Sequence, residues 1–305
     1  MTDLAIHTRD VCYRASKRFA IENLSINVPP GAIYGFLGPN GAGKTTTIRL
    51  LLGLLRPRSG QITVLGRDMP NESTAVLART GYIPERPHLY PTLTVAEAIT
   101  FHSAFYPTWD AAWANRLVKE FSLERGQKIA SMSKGETGKL MMLLALAQTP
   151  DLLLLDEPTD GLDPVVRRDV LTAVLDYVAH RHATVLISSH LVHELERFCD
   201  WVGVMDQGRL VTELPIETFK NGIKRIRVSG APSEMIDAPF VLLDRDARNG
   251  TESWLVRGWE EPMRGYLETH GATVREVLDL DLEEGFVELL RSFRHPEHSS
   301  ALGES

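Results

Sequence analysis

Two hydrophobic periods alternate along the chain as far as Pro215. Strand-length runs at Leu24 to Val28 and Ile33 to Leu37 precede a glycine-rich turn, after which Thr45 to Leu55 carries the helical period and is expected to stop before Pro57. Leu152 to Asp156 is a continuous apolar run of buried-strand length. Val165 to Ala179 reads as helix, Thr184 to Ser188 as strand, Leu191 to Phe198 as helix and Val202 to Met205 as strand. Strands and helices in alternation predict a parallel sheet covered on both faces. Between Pro87 and Pro150 the period is mainly helical, with Val95 to Phe105, Trp109 to Phe121 and Lys139 to Gln148 as the helices of an insert.

Beyond Pro215 the pattern starts afresh near Ile223. Strands are expected at Ile223 to Val228, Phe240 to Leu243 and Trp254 to Val256, then helix Glu261 to His270, strand Thr273 to Leu278 and helix Glu283 to Ser292. The expected division is a main domain over 1–220, its helical part at about 87–150, a small α/β appendage over 221–293, and a polar tail over 294–305. No internal repeat is visible.

Length and composition agree with this division: 305 residues exceed one average domain, and 43% hydrophobic with 24% charged residues is ordinary for a globular chain. A formal net charge of -7 gives no basic footprint, so nucleic acid is not an expected partner. Cys12 and Cys199 form no CxxC pair and read as small buried apolar residues of a reducing compartment. The start, MTDLAIHTRD, has no signal-like apolar stretch. The most apolar runs, such as Leu140 to Ala147, fall short of the roughly 18 residues of a spanning helix. A cytoplasmic protein is expected, and any work at a membrane would need another anchor.

The chemistry lies in a few motifs. Gly38, Pro39, Asn40, Gly41, Ala42, Gly43, Lys44 and Thr45 complete a GxxxxGK[ST] phosphate loop, followed by Thr46, where a strand gives way to a helix. Successive backbone N–H groups can wrap a triphosphate while the helix presents its positive end. Lys44 would reach the β and γ phosphates, and Thr45 a magnesium ion. A chance match in such a chain arises roughly one time in a hundred, and the strand and helix context lowers that further. Asp156 ends the apolar strand, where it would hold magnesium through water. Glu157 follows as the candidate base that polarises the attacking water.

By these residues the chain resembles the ABC ATPase family over about Leu4 to Leu214, which implies an α/β P-loop NTPase of the ABC type with a helical subdomain and a C-terminal α/β appendage. The resemblance carries further assignments. Ser133-Lys-Gly135-Glu136 stands where the family has its signature, normally LSGGQ, which contacts the γ-phosphate held by the opposite subunit; alone it would be a commonplace helix cap. His190 matches the switch histidine that contacts the γ-phosphate and helps to position Glu157. Asp163, in Asp160-Gly-Leu-Asp163, matches the interface carboxylate; alone it would cap the helix that Pro164 opens.

Three positions depart from the family. Glu85 replaces the glutamine that ligates magnesium and water, and a carboxylate binds magnesium more strongly. In the signature, Lys134 replaces glycine, adding a mobile cation beside the neighbour's phosphates, and Glu136 replaces glutamine. For the adenine-stacking aromatic, Tyr13 is nearest, about two residues earlier than the family's spacing.

With the Leu89 to Glu97 stretch, LYPTLTVAE, these variants resemble a bacterial subgroup whose members pair with export-type or antibiotic-responsive permeases. The resemblance implies the following: ATP and Mg2+ as cofactors, a second ATPase subunit in a homodimer or heterodimer around two ATP, and a membrane permease coupled near Glu85 to Glu97. The alternative is a soluble ABC ATPase of translation or DNA repair. Those carry paired cassettes or long coiled-coil insertions, and this chain has one phosphate loop and neither feature. A non-hydrolysing regulator would be expected to lack the catalytic acid, whereas Glu157 and His190 are both present.

Overall fold

The computed structural model describes residues 4–16, 19–86, 88–230, 239–248 and 251–294. The expected tail over 294–305 lies, from 295 on, outside the described residues. The chain forms two compact units, one of residues 1–191 and 198–213, the other of residues 192–197 and 214–305.

In chain order the first unit carries β1 (Ile6–Arg14), β2 (Ala20–Leu24), β3 (Asn27–Val28), β4 (Ile33–Leu37), α1 (Lys44–Leu51), β5 (Ser59–Val64), β6 (Arg67–Asp68), α2 (Ser73–Leu77) and β7 (Thr80–Ile83). There follow α3 (Val95–Ser103), α4 (Ala111–Glu120), α5 (Lys134–Ala147), β8 (Leu152–Asp156), α6 (Pro164–Arg181) and β9 (Thr184–Ser189). After α7 (Val192–Leu195), which belongs to the second unit, come β10 (Trp201–Asp206) and β11 (Arg209–Pro215).

A six-stranded sheet in the order β11-β10-β4-β9-β8-β7 is the core of the first unit, and its ladders from β10 to β7 are all parallel. Every residue of β4, β8 and β9 is buried, as strands covered on both faces must be. Parallel strands also place their C-terminal ends on one edge, so the phosphate loop after β4, Glu85 after β7, Glu157 after β8 and His190 after β9 emerge together.

The alternation of strand and helix gave no notice of the second, antiparallel sheet, β2-β1-β5-β6 with β3 paired to β1. Its N-terminal half also corrects the expected Leu24 to Val28 strand. The Thr8 hydroxyl donates to Leu24 O (3.0 Å) and accepts from Ile26 N (2.8 Å), which breaks the run between β2 and β3. Helix α1 ends at Leu51 rather than Leu55 because Gly53 takes a φ of 69°, a left-handed stop that a side chain would resist. Helix α5 begins five residues before the expected Lys139, at a capping box between Ser133 and Glu136. The helix expected over Leu191 to Phe198 shortens to α7. Cys199 is buried as expected, whereas Cys12 is only half-buried, its Sγ 3.3 Å from Asn23 Oδ1.

The second unit adds α8 (Ile216–Gly222), β12 (Ile223–Ser229), β13 (Val241–Arg248), β14 (Thr251–Arg257), α9 (Met263–Thr269), β15 (Thr273–Asp279) and α10 (Leu282–Arg294). Its strands pair antiparallel in the order β13-β14-β12-β15. Ile226, Val228, Trp254 and Val256 pack with Leu267 of α9 in its core. Helix α7 packs against α10, which is why the unit starts earlier than the expected residue 221 and takes in residues 192–197.

Candidate nucleotide site

A cavity of about 580 Å³ opens at the C-terminal edge of the parallel sheet, lined by Asn40 to Thr46 of the phosphate loop with Phe19, Glu85, Glu157, Asp160 and His190. Four of the five segments that line it follow parallel strands, whose order brings them to this edge, and Phe19 joins them from before β2 of the antiparallel sheet.

The Lys44 side chain is nearly buried and its ammonium is fully engaged. It donates to Gly38 O (2.6 Å) and Pro39 O (3.3 Å) and lies 3.1 Å from Glu157 Oε1, without the alignment of a hydrogen bond. On the other side of Glu157, Oε2 is 2.9 Å from His190 Nδ1. Glu157 itself stands at φ 50°, a left-handed conformation that costs a residue with a side chain about 1 kcal/mol or more. Its N–H donates to Ser188 Oγ (3.0 Å), and that hydroxyl donates to Asp156 Oδ1 (2.8 Å).

Asp156 is completely buried. The Thr45 hydroxyl donates to its Oδ1 (3.1 Å), while Oδ2 has no hydrogen-bond partner among the described residues. Burial pushes the Asp156 carboxyl above its ordinary range; the Ser188 and Thr45 hydrogen bonds oppose the shift, and the nearby Glu85 and Glu157 charges add to it. A buried carboxylate oxygen without a donor, beside a threonine hydroxyl, suits a hard cation. No group of three or more His, Cys, Asp or Glu among the described residues is placed to hold a metal on its own.

A family model described as ABC transporter matches residues 21–160. The chain is 36% identical over 217 residues to the bacitracin transport ATP-binding protein BcrA of Bacillus licheniformis, covering 70% of this chain and 71% of that protein. It is 37% identical over 214 residues to the Nod factor export ATP-binding protein I of Burkholderia lata, covering 68% and 70%. A solved structure described as the ATP binding subunit of an ABC transporter aligns with a TM-score of 0.64 at 30% identity, over 71% of this chain and 92% of that chain.

The chain belongs to the ABC transporter ATP-binding family. It is an ATP-binding and ATP-hydrolysing subunit.

The structure of this ABC subunit brings together Gly38 to Thr46, Glu85, Asp156, Glu157 and His190. Tyr13 is not with them. It lines a separate cavity with Cys12, Arg14 and Arg58, whereas Phe19 lines the phosphate-loop cavity, its Cζ 3.2 Å from where a Cβ on Gly43 would stand. The register of the β1–β2 hairpin explains this. Tyr13 pairs with Ile21 inside the ladder, while Phe19 sits at its mouth beside the loop. Phe19 immediately precedes β2, whereas the hydrophobic pattern placed the strand at Leu24 to Val28, so no local signal singled it out. Ser188 was also missed, being read only as part of an apolar strand.

The remaining predicted residues stand away from this cavity. Ser133 caps α5, accepting from Glu136 N (3.2 Å), while Glu136 Oε2 accepts from Ser133 N (2.8 Å). The Ser133 N–H, and after it the Ser133 hydroxyl, hold the Glu136 carboxyl below its ordinary range. Gly135 packs on α6, where a Cβ would meet Val166 Cγ2 at 3.2 Å. Asp163 caps α6 by accepting from Val165 N (3.0 Å) and Val166 N (3.1 Å). Ser133, Asp163 and Val165 are all exposed.

Proposed function

We propose that this subunit hydrolyses ATP with Glu157 as the general base, inside a composite site completed by Ser133 and Gly135 of a second subunit. The observation that carries this reading is the convergence of Lys44, Glu157 and His190 within 3.1 Å contacts at the mouth of the phosphate loop. The Lys44 ammonium lies against the Glu157 carboxylate and offsets its charge. Phosphate oxygens compete for that ammonium, and as Lys44 turns to them the carboxylate is freed to accept a proton from water. His190 keeps the other carboxylate oxygen in place. The backbone N–H groups of Gly41 to Thr46 supply donors to the phosphates.

Thr45, Asp156 and Glu85 would hold Mg2+, which when bound supplies charge neutralisation between the β and γ phosphates. The unpartnered Asp156 Oδ2 supports this assignment. For adenine stacking we assign Phe19 in place of Tyr13, on its position in the cavity. The exposed Ser133 at the start of α5, with the exposed Asp163 and Val165 and the half-buried Gly135 between them, supports a face that meets a second ATPase subunit, identical or not.

The permease is proposed to dock near Glu85 to Glu97. There Tyr90 is 61% exposed and stacks edge-on with Phe101 (5.5 Å), which stacks on the 64% exposed Phe105 (5.1 Å). No helix among the described residues is long and apolar enough to cross a membrane. On this reading the subunit sits peripherally on the inner face of the cell membrane, held there by the permease. The test is Glu157→Gln in the presence of Mg2+ and ATP: turnover is lost and an ATP-bound dimer accumulates on gel filtration. Hydrolysis at the wild-type rate would sink the assignment.

A further inference from the structure

Lys134, the residue that departs most from the signature pattern, does not extend away from its own chain. Its Nζ lies 3.5 Å from Asp160 Oδ2. The same Nζ occupies the space beside Gly161, where a Cβ would come within 2.3 Å of it, and Gly161 has a φ of 63° that favours glycine. Asp160 and Gly161 belong to the turn that leaves the catalytic strand. Asp160 N donates to Glu157 O (3.1 Å) and Leu162 N donates to Thr159 O (3.2 Å). The turn therefore begins at the residue whose backbone is held in the left-handed region.

Farther along, the same two segments stay in contact. Gly135 faces Val166, Gly138 faces Leu162, and Lys139 Nζ pairs with Asp169 Oδ2 at 2.7 Å. Lys134 is the first contact of this seam and the one nearest Glu157. Asp160 also lines the phosphate-loop cavity, which already holds the acidic Glu85 and Glu157. A cation on Asp160 thus offsets a third negative charge at the rim of this cavity.

We propose that Lys134 is a positioning residue for hydrolysis, acting through Asp160 and Gly161 of its own chain to hold the Glu157 turn, and not as a cation on the neighbouring subunit's phosphates. The proposal rests on Glu157 being the base. It links the signature segment, which serves one composite site, to the base of the other.

The test is a double-mutant cycle on the full-length subunit, with steady-state ATPase as the assay and Lys134→Met, Asp160→Asn and their combination as the variants. Lys134→Met is expected to lower kcat about fivefold, because an exposed ion pair is worth up to about that factor. Lys134→Arg should restore most of the rate, and the melting temperature of Lys134→Met should fall by no more than the roughly 2–4 °C that losing one exposed ion pair allows. The combined variant should be no slower than Asp160→Asn alone. Fold-changes that multiply, or a Lys134→Met protein with wild-type kcat, would overturn the proposal. So would a loss confined to ATP affinity that persists in the Asp160→Asn background, which is the behaviour of a direct phosphate contact. Glu157→Gln is the separate control: if that variant turns over normally, the assignment of the base has failed, whatever the cycle gives.

Discussion

Replacing Glu157 by glutamine should destabilise the nucleotide-free subunit while increasing its stabilisation by ATP, and the structure gives the size of both effects. Lys44 and Glu157 are 6% and 10% exposed at their side chains and 3.1 Å apart. At that distance and an effective dielectric of about 20 the attraction is about 5 kcal/mol. Losing one partner of a buried pair costs about 3–5 kcal/mol. A glutamine carbonyl can still accept from the ammonium, and Gly38 O and Pro39 O remain bonded to it, so the net loss should fall to about 2–3 kcal/mol. For a unit of this size that is a drop of roughly 4–12 °C in melting temperature.

With saturating ATP and Mg2+ the phosphates become the partners of Lys44, and the missing carboxylate no longer matters to its charge balance. The upward shift on adding nucleotide should therefore be larger in the variant than in the wild type by about the same 2–3 kcal/mol. Thermal unfolding followed with and without nucleotide, at several ATP concentrations, reads both quantities. An apo variant that melts with the wild type, or a nucleotide shift no larger than that of the wild type, would refute the idea that Lys44 is held by Glu157 before ATP arrives.

Three other outcomes are expected. Ser133→Ala should bind ATP but hydrolyse it poorly and lose about 1 kcal/mol of stability with its cap. Mixed with Lys44→Ala in excess ATP and Mg2+, it should recover part of the activity, and a monomeric Ser133→Ala that hydrolyses like wild type would contradict action across an interface. Phe19→Ala should weaken ATP binding by about tenfold, as loss of a stacked base does, while Tyr13→Ala leaves titration calorimetry unchanged; the reverse pattern would restore Tyr13. Asp156→Asn should abolish hydrolysis yet raise the apo melting temperature at neutral pH. Because burial raises the Asp156 pKa, its stabilising contribution is complete below the ordinary carboxylate pKa and is lost as pH rises through the raised value. The gain should therefore shrink toward about pH 4, and a gain that grows on acidification would show the sign to be wrong.

Much of this site was legible in the sequence, because phosphate chemistry constrains local strings. A loop of small residues before Lys44 and Thr45, and an apolar strand ending in Asp156 and Glu157, each carry their own context. The parallel sheet followed from hydrophobic runs buried on both faces. What escaped were features set by register. The antiparallel sheet depends on pairing between residues as distant as Ile6 and Val64, and neither strand carries a marker of its partner. Phe19, and not Tyr13, lines the phosphate-loop cavity because the β1–β2 pairing decides which aromatic reaches the loop. Lys134 read as a free cation, since nothing in a linear string places residue 134 beside residue 160.

Ser188 shows why register matters to the chemistry itself. It pairs with Asp156 across the β8–β9 ladder, so its hydroxyl can serve two neighbours at once, donating to the Asp156 carboxylate and accepting from the Glu157 N–H. A slip of the ladder by one residue would turn Ser188 to the other face of the sheet and remove both bonds. The acid beside Thr45 would then lose its buried donor, and the left-handed turn at Glu157 would lose its anchor. The strand sequence LISS thus does more than fill the sheet. Its apolar residues lock the register, and that register places a hydroxyl where one carboxylate must stay oriented and the next must point back toward Lys44.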